Sequence, residues 1–143
     1  MDAGLYLEVG KGVHGESDSG EAKILLAKTA GRFQGLLNLI AERPLSGPSS
    51  EAFASYGYAA SATWLTGGNL RLGAEAFGDL GDDHGIFKHR QGAYVGPQLK
   101  WEGRPKGSPI ELAVDAGWLA AVGADRGEAK SQVKINIELE HRF

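Results

Sequence analysis

Cysteine is absent from the 143 residues, so this chain can build neither a disulfide framework nor a thiolate metal site. No run of about 18 apolar residues is present, which excludes a transmembrane helix. Met1-Asp2-Ala3-Gly4 has neither the basic start nor the apolar stretch of a signal peptide. Positive charge is scarce as well: 15 Lys and Arg stand against 18 Asp and Glu, interspersed, without the basic patch that a nucleic-acid partner requires. None of these absences touches a membrane β-barrel, whose alternating strands average out to moderate hydropathy. What the chain has in excess is glycine: 22 residues, well above the roughly 7% of an average chain. The length predicts a single domain, residues 1–143.

The dominant periodicity is two. Tyr56, Tyr58, Ala60, Ala62 and Trp64 alternate with small or polar residues, and Leu70, Leu72, Ala74 and Ala76 alternate with Arg71, Gly73, Glu75, Phe77 and Asp79. The same pattern separates Ala93, Val95, Pro97, Leu99 and Trp101 from Tyr94, Gly96, Gln98 and Lys100. It also separates Ile110, Leu112, Val114, Ala116 and Trp118 from Glu111, Ala113, Asp115 and Gly117. Each stretch reads as a strand with one apolar and one polar face. Leu5, Leu7 and Val9 give a further strand. Residues 21–42 have the Ala, Leu, Lys and Glu content of a helix, but the alternation of Phe33, Gly35, Leu37, Leu39 and Ala41 with Gln34, Leu36, Asn38, Ile40 and Glu42 favours two strands turning at Ala30-Gly31.

Connections between these strands alternate long and short, from VHGESDSG and AG onward. The fold class expected is all-β: an antiparallel up-and-down transmembrane β-barrel of about eight strands, with tight turns at one end and longer loops at the other. With the short turns on the periplasmic side, Phe33, Trp64, Trp101 and Phe143 fall near the inner membrane interface and Tyr56, Tyr58 and Trp118 near the outer one, as interfacial aromatics should. The polar rows then face the lumen: Arg71, Glu75, Asp79, Lys100, Glu111, Asp115, Lys134, Glu138, Glu140 and Arg142. At the inner end Arg71, Lys100 and Arg142 have Glu111 and Glu140 to pair with. At mid-height Glu75, Asp115 and Glu138 lack a cation from their own strands, which leaves Lys28 or water to serve them.

LRLGAEAFGDLG, the GAYVGPQL strand and the terminal KINIELEHRF resemble the C-terminal part of proteobacterial outer-membrane β-barrel proteins, and AKILLAKTAGRFQGLLNLIAE is similar to an earlier hairpin of such proteins. The resemblance covers most of the chain from about Glu21 onward. It implies that Ile135, Ile137, Leu139 and Phe143 form the signal by which the outer-membrane assembly machinery recognises the last strand; His141 stands where that family type carries an aromatic or apolar residue. It also implies a bacterial outer-membrane location and, because such proteins are longer, leaves two forms open: a barrel of about eight strands, or the C-terminal portion of a wider barrel whose upstream strands of the same protein are missing.

Sharper motifs carry less. GKGVHG, Gly10 to Gly15, is a literal G-x-G-x-x-G, but the acid that should bind a ribose, Glu42, lies too far on, and a polar loop follows where a helix should open. His14, His84, His89 and His141 have no tidy ligand spacing, and His141 sits on an apolar face, unsuited to a serine-hydrolase pair. The expectation is therefore no metal, no cofactor and no catalysis. The expected function is a structural scaffold or weakly specific channel with a net acidic interior, the lipid bilayer being its main partner. The alternative is a soluble eight-stranded barrel that binds an apolar small molecule, in which Leu70, Leu72, Ala74 and Ala76 would point inward.

Overall fold

The computed structural model describes residues 1–13, 16–47, 53–86, 92–105, 107–124 and 131–141. The elements within them are all strands: β1 (Asp2–Gly10), β2 (Ser19–Ala30), β3 (Phe33–Pro44), β4 (Ser55–Gly67), β5 (Leu70–Asp82), β6 (Gly92–Gly103), β7 (Ile110–Gly123) and β8 (Ser131–His141). They form one up-and-down antiparallel sheet in sequence order, β1 to β8, curled into a half-barrel. Residues 21–42 are the hairpin that the alternation predicts, because pairing on both flanks of β3 outweighs the helical propensity of its Ala and Leu content. The turn lies one residue later than Ala30-Gly31. Ala30 pairs with Phe33, leaving Gly31 and Arg32 as the two loop residues, and Gly31 takes φ +60°, as the first position of a type II′ turn demands. The β4–β5 hairpin turns on Gly68 and Asn69, both at positive φ (56° and 67°), which is the type I′ requirement.

Hydrogen-bonded rows are staggered against the strand ends. One row runs Phe33, Trp64, Leu72, Leu99, Ala116, Ile135. It starts at the first residue of β3 and crosses the middle of β7. Such a stagger is the shear that tilts strands in a barrel wall. Between β6 and β7 the direct pairing skips Gly96 and Pro97, since proline offers no N–H to the ladder.

The two faces of the curl differ in a way periodicity alone does not reveal. The polar rows lie on the concave side, where side chains reach across intervening strands: Lys134 of β8 contacts Glu75 of β5. Glu75 and Gln98 are 8% and 4% exposed there. On the convex side Trp64, Trp118 and Ile137 are 53%, 54% and 67% exposed. Polar groups are thus buried and large apolar groups face out, the reverse of a water-soluble domain. Among the described residues β1 pairs only with β2 and β8 only with β7, so the sheet has two open edges.

Candidate functional site

Strand register determines which side chains share the concave wall. Arg71, Glu75 and Asp79 stand there on β5, Lys100 on β6, Glu111 and Asp115 on β7, and Lys134, Glu138 and Glu140 on β8, each paired with a residue of the same face. Arg142 and Phe143 lie outside the described residues, as do His14 and His89.

Four of these strands meet in one polar network. Gln98 Nε2 donates to Glu75 Oε2 at 3.0 Å and to both oxygens of Asp115 at 3.0 and 3.1 Å. Lys134 donates to Glu75 Oε2 and lies 3.5 Å from Asp115 Oδ2, while Lys100 Nζ is 3.9 Å from the same oxygen. The reach of Lys134 depends on Gly117, its partner on β7. A Cβ at position 117 would run into Glu75 Oε1, so the absent side chain is the slot in which that carboxylate lies. Glu75 Oε1, Gln98 Oε1 and Thr63 Oγ1 are buried without a hydrogen-bond partner among the described residues. Beside the network is a cavity of about 230 Å³, lined by Ser61, Glu75, Gln98, Lys100, Asp115 and Lys134 with Leu36 and Phe77 on its apolar side.

This arrangement corrects the pairing expected at mid-height. The cation that serves Glu75 and Asp115 is Lys134 from the edge strand, whereas Lys28 pairs with Gly35 on the apolar convex row. Toward the short turns, Glu111 is bridged by Arg104 at 2.9 Å, and Arg71 donates to the Arg32 carbonyl at 3.3 Å. A larger concavity of about 530 Å³ opens there, walled by Arg71, Lys100, Glu102, Arg104 and Glu111. At the other end Phe77 and Tyr94 stack on the inner face with centroids 5.3 Å apart, near the fully buried Leu119 of the neighbouring β7. Gln98 and Thr63 carry no charge, and their only signal in the sequence is their place on the polar face, Gln98 between Gly96 and Lys100 and Thr63 after Ser61.

The aromatic set occupies the convex face. Phe33 pairs directly with Trp64, and Trp101 with Leu70 and Val114, all close to the short-turn ends. Tyr56 and Tyr58 begin β4 at its long-loop end. Trp118 belongs with them by its place along β7, although the stagger puts its row nearer the other end. Ile135, Ile137 and Leu139 form the exposed convex row of β8.

At the long-loop end two carboxylates tie loops together. Asp18 accepts from Gly12 N at 2.9 Å and from Ser46 Oγ at 2.6 Å, joining the β1–β2 and β3–β4 connections. The Ser46 hydroxyl, then the Gly12 N–H, holds its carboxyl below the usual range. Asp83 accepts from Tyr56 Oη at 2.6 Å and Ala54 N at 3.1 Å, and the tyrosine hydroxyl, then the amide, lowers it likewise. Gly10, opening the GKGVHG stretch, ends β1, and the next element is the strand β2 where a dinucleotide fingerprint needs a helix. Among the described residues no three His, Cys, Asp or Glu side chains converge as a metal cluster would. No known protein family, no curated protein and no solved structure matches the chain.

Proposed function

We propose that the chain is wall of an outer-membrane β-barrel, serving as an integral scaffold or weakly specific channel. The single observation that carries this is the inverted polarity of the curl: the buried Glu75 and Gln98 with the half-buried Asp115, Lys100 and Lys134 inside, exposed tryptophans and aliphatic rows outside. A convex surface of that kind fits hydrocarbon, and a polar concave surface fits a hydrated lumen. The soluble alternative needs Leu70, Leu72, Ala74 and Ala76 inside, yet that row shares the convex face with Trp64 and Trp101.

Open backbone edges cannot persist in hydrocarbon, where each unpaired group costs several kcal/mol. Further strands of the same protein therefore complete the ring, pairing antiparallel with β1 and β8 and continuing their apolar outward rows. Ile135, Ile137, Leu139 and Phe143 act in this reading as the mark recognised by the assembly machinery, and the long loops point away from the cell. The purified chain is expected to need detergent to stay monodisperse. Sedimentation as a stable monomer in plain buffer would sink the proposal.

A further inference from the structure

The network around Lys134 has a consequence for selectivity, and it rests on the channel reading given above. Glu75 and Asp115 project from β5 and β7, and Gln98 on the intervening β6 donates to both. That amide bridges the two carboxylates through bonds of its own, separate from those Lys134 makes to them. The lysine comes from β8, crosses the side-chain-free Gly117, and lodges its ammonium between them. Its side chain is 30% exposed, on the wall of the 230 Å³ cavity, whereas Glu75 is buried. The remaining cation, Lys100, stands 3.9 Å from Asp115 and does not reach Glu75 within salt-bridge distance.

Two carboxylates held together by an amide, partly removed from water and open to a cavity, constitute a cation site. Its occupant here is a cation tethered to the protein. We infer that Lys134 sets the ion selectivity of the lumen: its ammonium holds the place between Glu75 and Asp115 where a small permeant cation dwells once that charge is removed. Intact, the pair of carboxylates is neutralised at this level by Lys134 and Lys100, and selectivity is weak. Without Lys134 the level carries a surplus negative charge in a preformed site, and cations are favoured over anions.

Reversal potentials across planar bilayers in a potassium chloride gradient, measured on the barrel with its completing strands present, test this. Lys134→Gln is expected to raise the potassium-to-chloride permeability ratio severalfold, Lys134→Arg to keep the parent ratio, and Lys134→Gln combined with Glu75→Gln to return it toward the parent. Should Lys134→Gln fail to fold, Glu75→Gln alone must move the ratio the opposite way, toward chloride, since it leaves both lysines facing one carboxylate. A conducting parent whose ratio is untouched by these substitutions overturns the inference and leaves the channel reading standing. Absence of conductance in the parent and in every variant overturns both.

Discussion

Gly117 and Lys134 show how much one missing side chain can organise. Glu75 occupies the space above Gly117, and Lys134 crosses the same residue to meet it. Gly117→Ala should therefore displace a flexible carboxylate while leaving the ladder intact, and Lys134 should lose Glu75; a double-mutant cycle between positions 75 and 134 is expected to shrink toward zero in the Gly117→Ala background. Lys134→Met strands a buried carboxylate and is expected to cost about 1–3 kcal/mol in urea unfolding from detergent, with much of the loss recovered by adding Glu75→Gln. Outside the wall, Asp18 and Asp83 titrate in the loops. Their carboxyls lie lower in the folded chain than in the unfolded one, so the loop ties are whole above about pH 4 and are lost as pH falls through the lowered values. Protease cleavage within the β3–β4 loop should accordingly rise with Asp83→Asn at neutral pH, and an unchanged rate would count against the tie.

At the level of elements, alternation sufficed to find the strands and to say which residues share a face. Tyr56 to Trp64, Leu70 to Ala76 and Val133 to Leu139 need no tertiary information to be read as apolar rows. The Gly-Asn turn after β4 is equally local chemistry. What periodicity does not encode is the stagger between strands. Lys134 could not be matched to Glu75 because the match depends on three successive registers and on glycine at position 117. The sequence leaves Lys28 or water to serve that carboxylate, but the pairing of Lys28 with Gly35 puts the lysine on the other face. Positions on β5 offer a direct comparison of faces. Ala76→Arg, at mid-strand on the convex row, is expected to lower the stability of bilayer-inserted protein by about 2–4 kcal/mol, the cost of a cation set toward lipid near the midplane, and Leu72→Arg, beside Trp64 at the interface, by up to about 1 kcal/mol. Arg71→Leu should cost far less than Ala76→Arg, and equal losses would mean that the convex row does not meet hydrocarbon.

For the whole molecule, the direction of curl and the open edges are the features that the sequence could not disclose. A sheet of eight alternating strands can curl with either face inward, and the same pattern serves a lipocalin-like domain or a membrane wall. Only the bridging of β5 to β8 by Lys134, with Gln98 and Asp115 between, identifies the polar face as concave. β1 and β8 stand at opposite edges of the half-barrel. Because the chain has no cysteine, Leu7→Cys with Ile137→Cys gives a clean test of closure: no intrachain disulfide is expected, and its ready formation would mean that the eight strands seal on themselves. The central claim, that the convex face meets lipid, has a natural reporter, since Trp64, Trp101 and Trp118 are all the tryptophans of the chain and all lie on that face. Their fluorescence in vesicles containing brominated acyl chains is the most direct measurement. The expected result is strong quenching by the brominated lipid with little quenching by aqueous iodide; efficient iodide quenching, with no response to the lipid, would contradict it.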